Sequence, residues 1–401
     1  MNGKLALHLT VLLLLLAPLV SLPEGCLQAA DPAATSRAAV ITAEDVRPHI
    51  ELLAGPDFRG RSGPDALRAA RYIAHHFHEL GLEPLFDGEY LQAIPGGAGA
   101  NTESRIIGRN VGALLPGSDP ELKDEVIIIS AHFDHLGVRE GQIYAGADDN
   151  ASGVSMLLET ARHFAGLKVK PRRSIAFVGF DLEERMLWGS RWFAAHPPWP
   201  LEQVKLFITA DMIGRSLGDL PLPLVFVLGS EHSTQVRELL EATPVPDQLS
   251  IARLGIDLIG TRSDYGPFRD RQVPFLFFST GEHPDYHTPR DTPDRIDYPK
   301  VARISTFIAD LTTAVANTDQ APQWTDRPEA ADVEEARTLN RITSLLLEAD
   351  KGPEIELGGM QRFFVSQVHA KTDYIVRRGD ISAAERKWLT RAAQLLMLSV
   401  F

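Results

Sequence analysis

The sequence predicts an α/β fold: a mixed, mostly parallel sheet covered by helices on both faces, with a C-terminal helical appendage. Three observations predict it. Short unbroken apolar runs such as Val126-Ile-Ile-Ile129 lack the in–out alternation of half-exposed strands and suit strands buried on both faces. These runs interleave with stretches of helical periodicity. After Asn317 the composition shifts and only helical patterns follow. The chain has 401 residues and is 44% apolar, enough to fill one large domain and a smaller appendage.

The chain opens on a targeting pattern. Lys4 precedes an apolar stretch from Leu5 to Val20, short for a membrane span and followed by small residues, as in a secretory signal. Residues 1–30 are therefore read as a signal peptide and 31–40 as a linker, which places the mature protein outside the cytoplasm, secreted or periplasmic. Gln28-Ala-Ala30 offers a cleavage site. Cys26 offers lipoprotein attachment as an alternative, although Pro23-Glu-Gly-Cys26 departs from a lipobox. Cys26 is also the only cysteine, so with cleavage after it the mature chain has none, and neither a disulfide framework nor a thiolate metal site is then possible.

Thr42, three residues before Asp45, has the form of a capping box opening a helix. Residues 65–81 read as an amphipathic helix with Leu67, Ala70, Ile73, Ala74 and Phe77 on one face and Gly81 at its end. Strands are expected at 109–115, 126–131, 174–180, 206–210, 224–228 and 274–278. Helices are expected at 152–164, 189–195, 233–241 and 299–316. A linker at 318–330 then leads to helical patterns at 333–347, 359–376 and 382–401. The domains expected are thus 41–317 for the main domain and 331–401 for the helical region. The apolar end of the chain suits docking on the main domain, with an oligomer contact as the alternative.

The formal net charge of −13 argues against a nucleic-acid partner, which needs clustered Lys and Arg. Neither a Gly-x-Ser-x-Gly elbow nor a P-loop is present. The chemistry lies instead in five patches: Ala131-His-Phe-Asp-His-Leu-Gly137, Gly146-Ala-Asp-Asp-Asn150, Asp181-Leu-Glu-Glu184, Ala210-Asp-Met212 and Tyr286-His-Thr288. They supply two histidines and three acids, a set that two adjacent divalent metals would need, with a spare Glu to handle a proton. Four patches follow expected strands and the fifth follows the last strand after a loop. In an open α/β sheet, ligands collect at the carboxyl ends of the strands, so these distant residues can converge there.

Each patch alone has a plainer explanation. A His-x-Asp is commonly a surface pair, Glu183-Glu184 a solvated helix start, and Asp148-Asp-Asn150 a turn and N-cap. Five in order at strand ends make coincidence a poor account. His135 and His283 are read as residues near the site and not as ligands. His75, His76 and His78 lack a neighbouring carboxylate set and are read as surface residues.

Over about residues 45 to 316 the chain resembles the zinc-dependent M28 peptidases, whose fold is of the zinc-exopeptidase type. The resemblance implies two Zn2+ per chain. His132 and Asp211 look like ligands of one, Glu184 and His287 of the other, with Asp149 bridging. It implies Glu183 as general base, Asp134 as the residue that orients His132, and Tyr286 as an oxyanion donor. Arg262, in Gly260-Thr-Arg-Ser-Asp264, looks like a substrate contact. One departure is Met186, where the family usually has a Gly two residues after the paired glutamates. The activity implied is removal of N-terminal residues from peptides. A carboxypeptidase or dipeptidase on the same scaffold, a glutaminyl-cyclase-like enzyme and a non-catalytic binding ectodomain are the alternatives.

Overall fold

A computed structural model describes residues 40–96, 105–326, 333–352 and 357–399. The expected signal peptide, Cys26 and most of the first linker lie outside the described residues. Helix α1 (Ala43–Leu53) opens on the Thr42/Asp45 capping box read from the sequence. Helix α2 (Pro64–Glu79) follows. It buries Ala66, Ala69, Ala70, Ile73 and Phe77, a stripe slightly rotated from the one expected, because Leu67 and Ala74 sit at its margin.

The strands are β1 (Glu83–Pro84), β2 (Leu91–Pro95), β3 (Ile106–Leu115), β4 (Val126–His132), the small hairpin β5 (Gly137–Arg139) and β6 (Gln142–Tyr144), β7 (Ser174–Phe180), β8 (Val204–Ala210), β9 (Leu224–Leu228), β10 (Ser250–Leu254) and β11 (Phe275–Ser279). All but the hairpin form one sheet in the order β1-β3-β7-β4-β8-β11-β9-β10, with β2 also paired to β3. Strands β7, β4, β8 and β11 run parallel to their neighbours in this central run. The flanking β3–β7 and β11–β9 pairs are antiparallel. The sheet is therefore mixed and mostly parallel at its centre, as expected.

Its two faces carry separate cores. On one, Ile127 and Ile129 of β4 pack with α1, α2, α3 (Gly153–Ala165) and α7 (Tyr298–Asn317) through residues such as Ile50, Phe77, Leu157 and Phe307. On the other, Ile128, Phe180 and Phe207 meet Phe193 of α4 (Trp188–Ala195) and Phe268 of α6 (Gly266–Arg269). Helix α5 (Thr234–Ala242) adds Val236 and Leu240 to the first core. The alternation of Ile127, Ile128 and Ile129 between cores explains why β4 reads as an unbroken apolar run.

Helices α8 (Val333–Ala349), α9 (Gly359–Arg378) and α10 (Ala383–Ser399) match the helical patterns read after the second linker within a few residues. Ile342, Leu346, Val365, Val368 and Leu396 join the second core, so these helices pack against the face that carries Phe207 and Phe226. No described helix is long and apolar enough to cross a membrane.

Candidate metal centre

The parallel strands end on one edge of the sheet, and the candidate ligands sit there. His132 is the last residue of β4, Asp211 follows Ala210 of β8, and the Glu183–Glu184 turn follows Phe180 of β7. Between β4 and α3 the chain passes through a tight turn, Ala147–Ser152, that delivers Asp149. The three acidic or amide residues of that turn do different work. Asp148 accepts the Gly214 N–H at 2.6 Å and lies 3.4 Å from His283. Asn150 accepts the Gly153 N–H at 2.9 Å and donates to the Ala210 carbonyl at 2.9 Å. The turn-and-cap account thus describes the neighbours of Asp149 and not Asp149 itself.

Asp149 is buried, and its two oxygens face different partners. Oδ1 lies 3.3 Å from His132 Nε2, which is also 3.2 Å from Asp211 Oδ1. Oδ2 lies 3.2 Å from His287 Nε2 and 3.6 Å from His135 Nδ1. Glu184 completes the second group: its Oε1 is 2.8 Å from His135 Nδ1 and its Oε2 3.2 Å from His287 Nε2. Two sets of ligand atoms therefore gather within 4.8 Å, His132/Asp149/Asp211 and His135/Asp149/Glu184, and they share Asp149. Imidazole and carboxylate donors without thiolates suit zinc at a centre with open positions.

His135 is thus in direct contact with the second acidic ligand candidate, closer than a residue merely lining the site. The signal was its place beside Asp134 in the same patch. His283 instead pairs with Asp148, one step outside the cluster. His287 has φ of +55°, and its loop is pinned by Asp285, which pairs with Arg290 at 2.6 Å, Arg295 at 3.1 Å and Arg215 at 3.3 Å. Asp291 is another residue that sequence reasoning missed. Its carboxylate accepts the N–H groups of Asp148 at 2.9 Å and Asp149 at 3.0 Å, fixing the Asp149 turn. Nothing in the sequence distinguishes it from any acid in a loop.

Asp134 is buried beside His132. Its carbonyl oxygen is 3.2 Å from His132 Nδ1, and its carboxylate is 3.7 Å from the same nitrogen. The carboxylate also accepts the N–H of Glu183 at 3.0 Å and of Glu184 at 3.4 Å. Tyr286 stacks on His287, with ring centroids 3.9 Å apart. Arg262 stands apart from the clusters on an exposed loop, 3.7 Å from Glu282.

The electrostatics follow from many charges gathered in a largely buried site. Burial works to raise the Asp149 carboxyl, but the imidazoles of His135, His132 and His287 outweigh it and hold it well below the usual range. Burial likewise opposes ionisation of Glu184, yet the imidazoles of His135 and His287, 2.8 and 3.2 Å from its oxygens, bring it to about 2. Glu183 goes the other way. Burial pushes it well above an ordinary carboxyl, the charge of His132 opposes this, and Asp211, Asp264 and Asp134 add to the rise. Burial and the nearby carboxylates Asp149, Asp211 and Glu184 push the Tyr286 phenol up, so it stays protonated. Asp264, fully buried, is pushed by burial to about 7.

Comparisons with known proteins place the chain in a family. The chain is 29% identical over 177 residues to leupeptin-inactivating enzyme 1 of Streptomyces exfoliatus, covering 43% of this chain and 36% of that protein. It is 27% identical over 201 residues to aminopeptidase YwaD of Bacillus subtilis, covering 47% and 40%. The chain thus spans well under half the length of these two relatives. Its fold matches a zinc aminopeptidase from Bacillus subtilis with a TM-score of 0.55 at 16% identity, over 72% of this chain and 99% of that one. The model of peptidase family M28 matches residues 110–312, just over half of the sequence and the whole span that builds the clusters around Asp149, and the chain belongs to that family.

Proposed function

We propose that the protein is a secreted or periplasmic aminopeptidase that removes N-terminal residues from peptides at a two-zinc centre. The observation that carries this reading is Asp149, whose two oxygens face two separate ligand groups. His132 and Asp211 hold one ion, Glu184 and His287 the other, and His135 supports the second from beside Glu184. Bound there, zinc supplies electrophilic activation of the scissile carbonyl and of water. Residues 41–317 form the peptidase domain in this reading, and 331–401 a helical region whose described helices pack on it.

The protein's own groups do the rest. Glu183, next to a ligand and not itself one, takes the proton of the attacking water and passes it to the leaving amine. Its raised affinity for a proton suits that exchange. Asp134 holds the Glu183 N–H with its carboxylate and meets His132 Nδ1 with its carbonyl oxygen, so one residue orients base and ligand together. The Tyr286 hydroxyl, kept protonated, donates to the oxyanion that develops at the scissile carbonyl. Arg262 meets substrate at the rim.

The test is a mass-spectrometric digest of one peptide in free, N-acetylated and C-amidated forms, with zinc and with chelator. Stepwise loss from the N-terminus, abolished by acetylation and by chelator, is expected. Loss from the C-terminus would replace this reading with the carboxypeptidase.

A further inference from the structure

Arg61 has no solvent exposure, a rare position for a guanidinium. All five of its N–H donors go to main-chain carbonyls. Nε donates to Phe133 at 2.8 Å, Nη1 to Leu53 at 2.9 Å and Ala145 at 2.7 Å, and Nη2 to Gly146 at 2.7 Å and Asp149 at 3.2 Å. The backbone beside it makes the same connection. The Arg61 carbonyl accepts the His135 N–H at 3.2 Å and the Gly60 carbonyl accepts the Gly137 N–H at 2.9 Å. Gly60 allows this approach: at φ +72°, a Cβ there would fall 2.3 Å from the Tyr144 carbonyl. The segment gripped runs from Phe133, next to His132, to Asp149. Asp149, Asp291, Asp134 and Glu184 surround the guanidinium with negative charge.

We propose that Arg61 is a positioning residue for the metal centre. By tying the carbonyls of Phe133, Ala145, Gly146 and Asp149 to one rigid fork, it sets the spacing of His132 and Asp149 that a divalent ion requires. The inference rests on the two-zinc reading above. A buried arginine that only staples the fold would affect stability alike with and without metal. Arg61 instead links the two ends of the segment that carries the shared ligand, so its loss falls on metal binding.

The test compares Arg61→Lys with Arg173→Lys. Arg173 is equally buried but lies at the other end of the sheet, where it pairs with Glu125 at 2.7 Å and donates to the Val315 carbonyl. Zinc affinity is measured by competition with a chromophoric chelator, and thermal midpoints are measured in EDTA. Both variants are expected to lose stability in EDTA. Only Arg61→Lys should lose zinc affinity, by about 10- to 100-fold, the range seen when groups supporting metal ligands are removed. Arg61→Gln, read in the same way, serves if the lysine variant does not fold. Wild-type zinc affinity in a folded Arg61 variant would overturn the proposal. So would failure of both Arg61 variants to fold while Arg173→Lys folds, since Arg61 would then be a folding residue. Wild-type protein that binds no zinc would instead refute the two-zinc reading on which the proposal rests.

Discussion

The Asp134 carboxylate accepts the backbone N–H of Glu183 at 3.0 Å while lying 3.7 Å from His132 Nδ1. One buried side chain therefore faces a ligand candidate at the end of β4 and holds the turn after β7 that presents the proposed base. Adjacent parallel strands make this contact short in space although 49 residues separate the two in sequence.

Asp134→Asn should leave the fold intact, because the amide has the same shape and keeps one oxygen for the Glu183 N–H. Its NH2 then meets the Glu184 N–H or the imidazole instead of a carboxylate. We expect kcat or zinc affinity to fall by about 10- to 100-fold. Steady-state kinetics at saturating zinc, with metal analysis of the same samples, checks this. Unchanged values in both would remove Asp134 from the mechanism.

The metal-free protein should show a defined pH window of stability. Burial opposes protonation of His287, but the hydrogen bonds and charges of Asp149 and Glu184 outweigh it and push the imidazolium up to about 10. A raised folded-state value contributes stability in full below the ordinary 6.5 and loses it as pH rises through about 10. Glu184, lowered to about 2, contributes above its ordinary 4.5 and loses it as pH falls through about 2. These two groups therefore contribute most between about 4.5 and 6.5. The thermal midpoint in EDTA should decline from neutral pH toward pH 10, and His287→Gln should flatten that decline. Zinc affinity should move oppositely and strengthen as pH rises, because the metal competes with protons for the imidazoles. An alkaline decline of equal slope in His287→Gln would locate the effect elsewhere.

Met186 has φ of +64° and Leu187 beside it +59°, so the turn after Glu184 holds two non-glycine residues in the left-handed region. The backbone there takes the conformation that glycine adopts without strain, although the sequence supplies methionine. Met186 is 78% exposed, so its side chain adds little packing to offset the strain. Met186→Gly should raise stability by about 1 kcal/mol, the scale of the left-handed penalty. Urea denaturation checks this, and a loss of stability would show that the methionine contributes contacts.

The central strands were legible because burial on both faces leaves no polar positions to blur the apolar run, as in β4 and β7. The edge strands were not. β10 (Ser250–Leu254) is only partly buried and carries Arg253, and β2 ends on Pro95, so neither shows a contrast with loop sequence. The patches at His132, Asp149, Glu183–Glu184, Asp211 and His287 were legible through residue type and position after strands. The contact of His135 with Glu184, the grip of Asp291 on the Asp149 turn and the five bonds of Arg61 were not. Each depends on which of many similar polar side chains the chain folds inward, and that is set by loop paths that a single sequence does not encode as a pattern.

The most direct measurement is made on Glu183→Gln, with zinc content and peptide turnover read from the same preparation. The variant should hold the wild-type complement of zinc, because Glu183 is not assigned as a ligand. Its kcat should fall by about 10²- to 10⁴-fold, the usual contribution of a general base. Near-normal kcat with full zinc would contradict the assignment of Glu183 and with it the proposed mechanism.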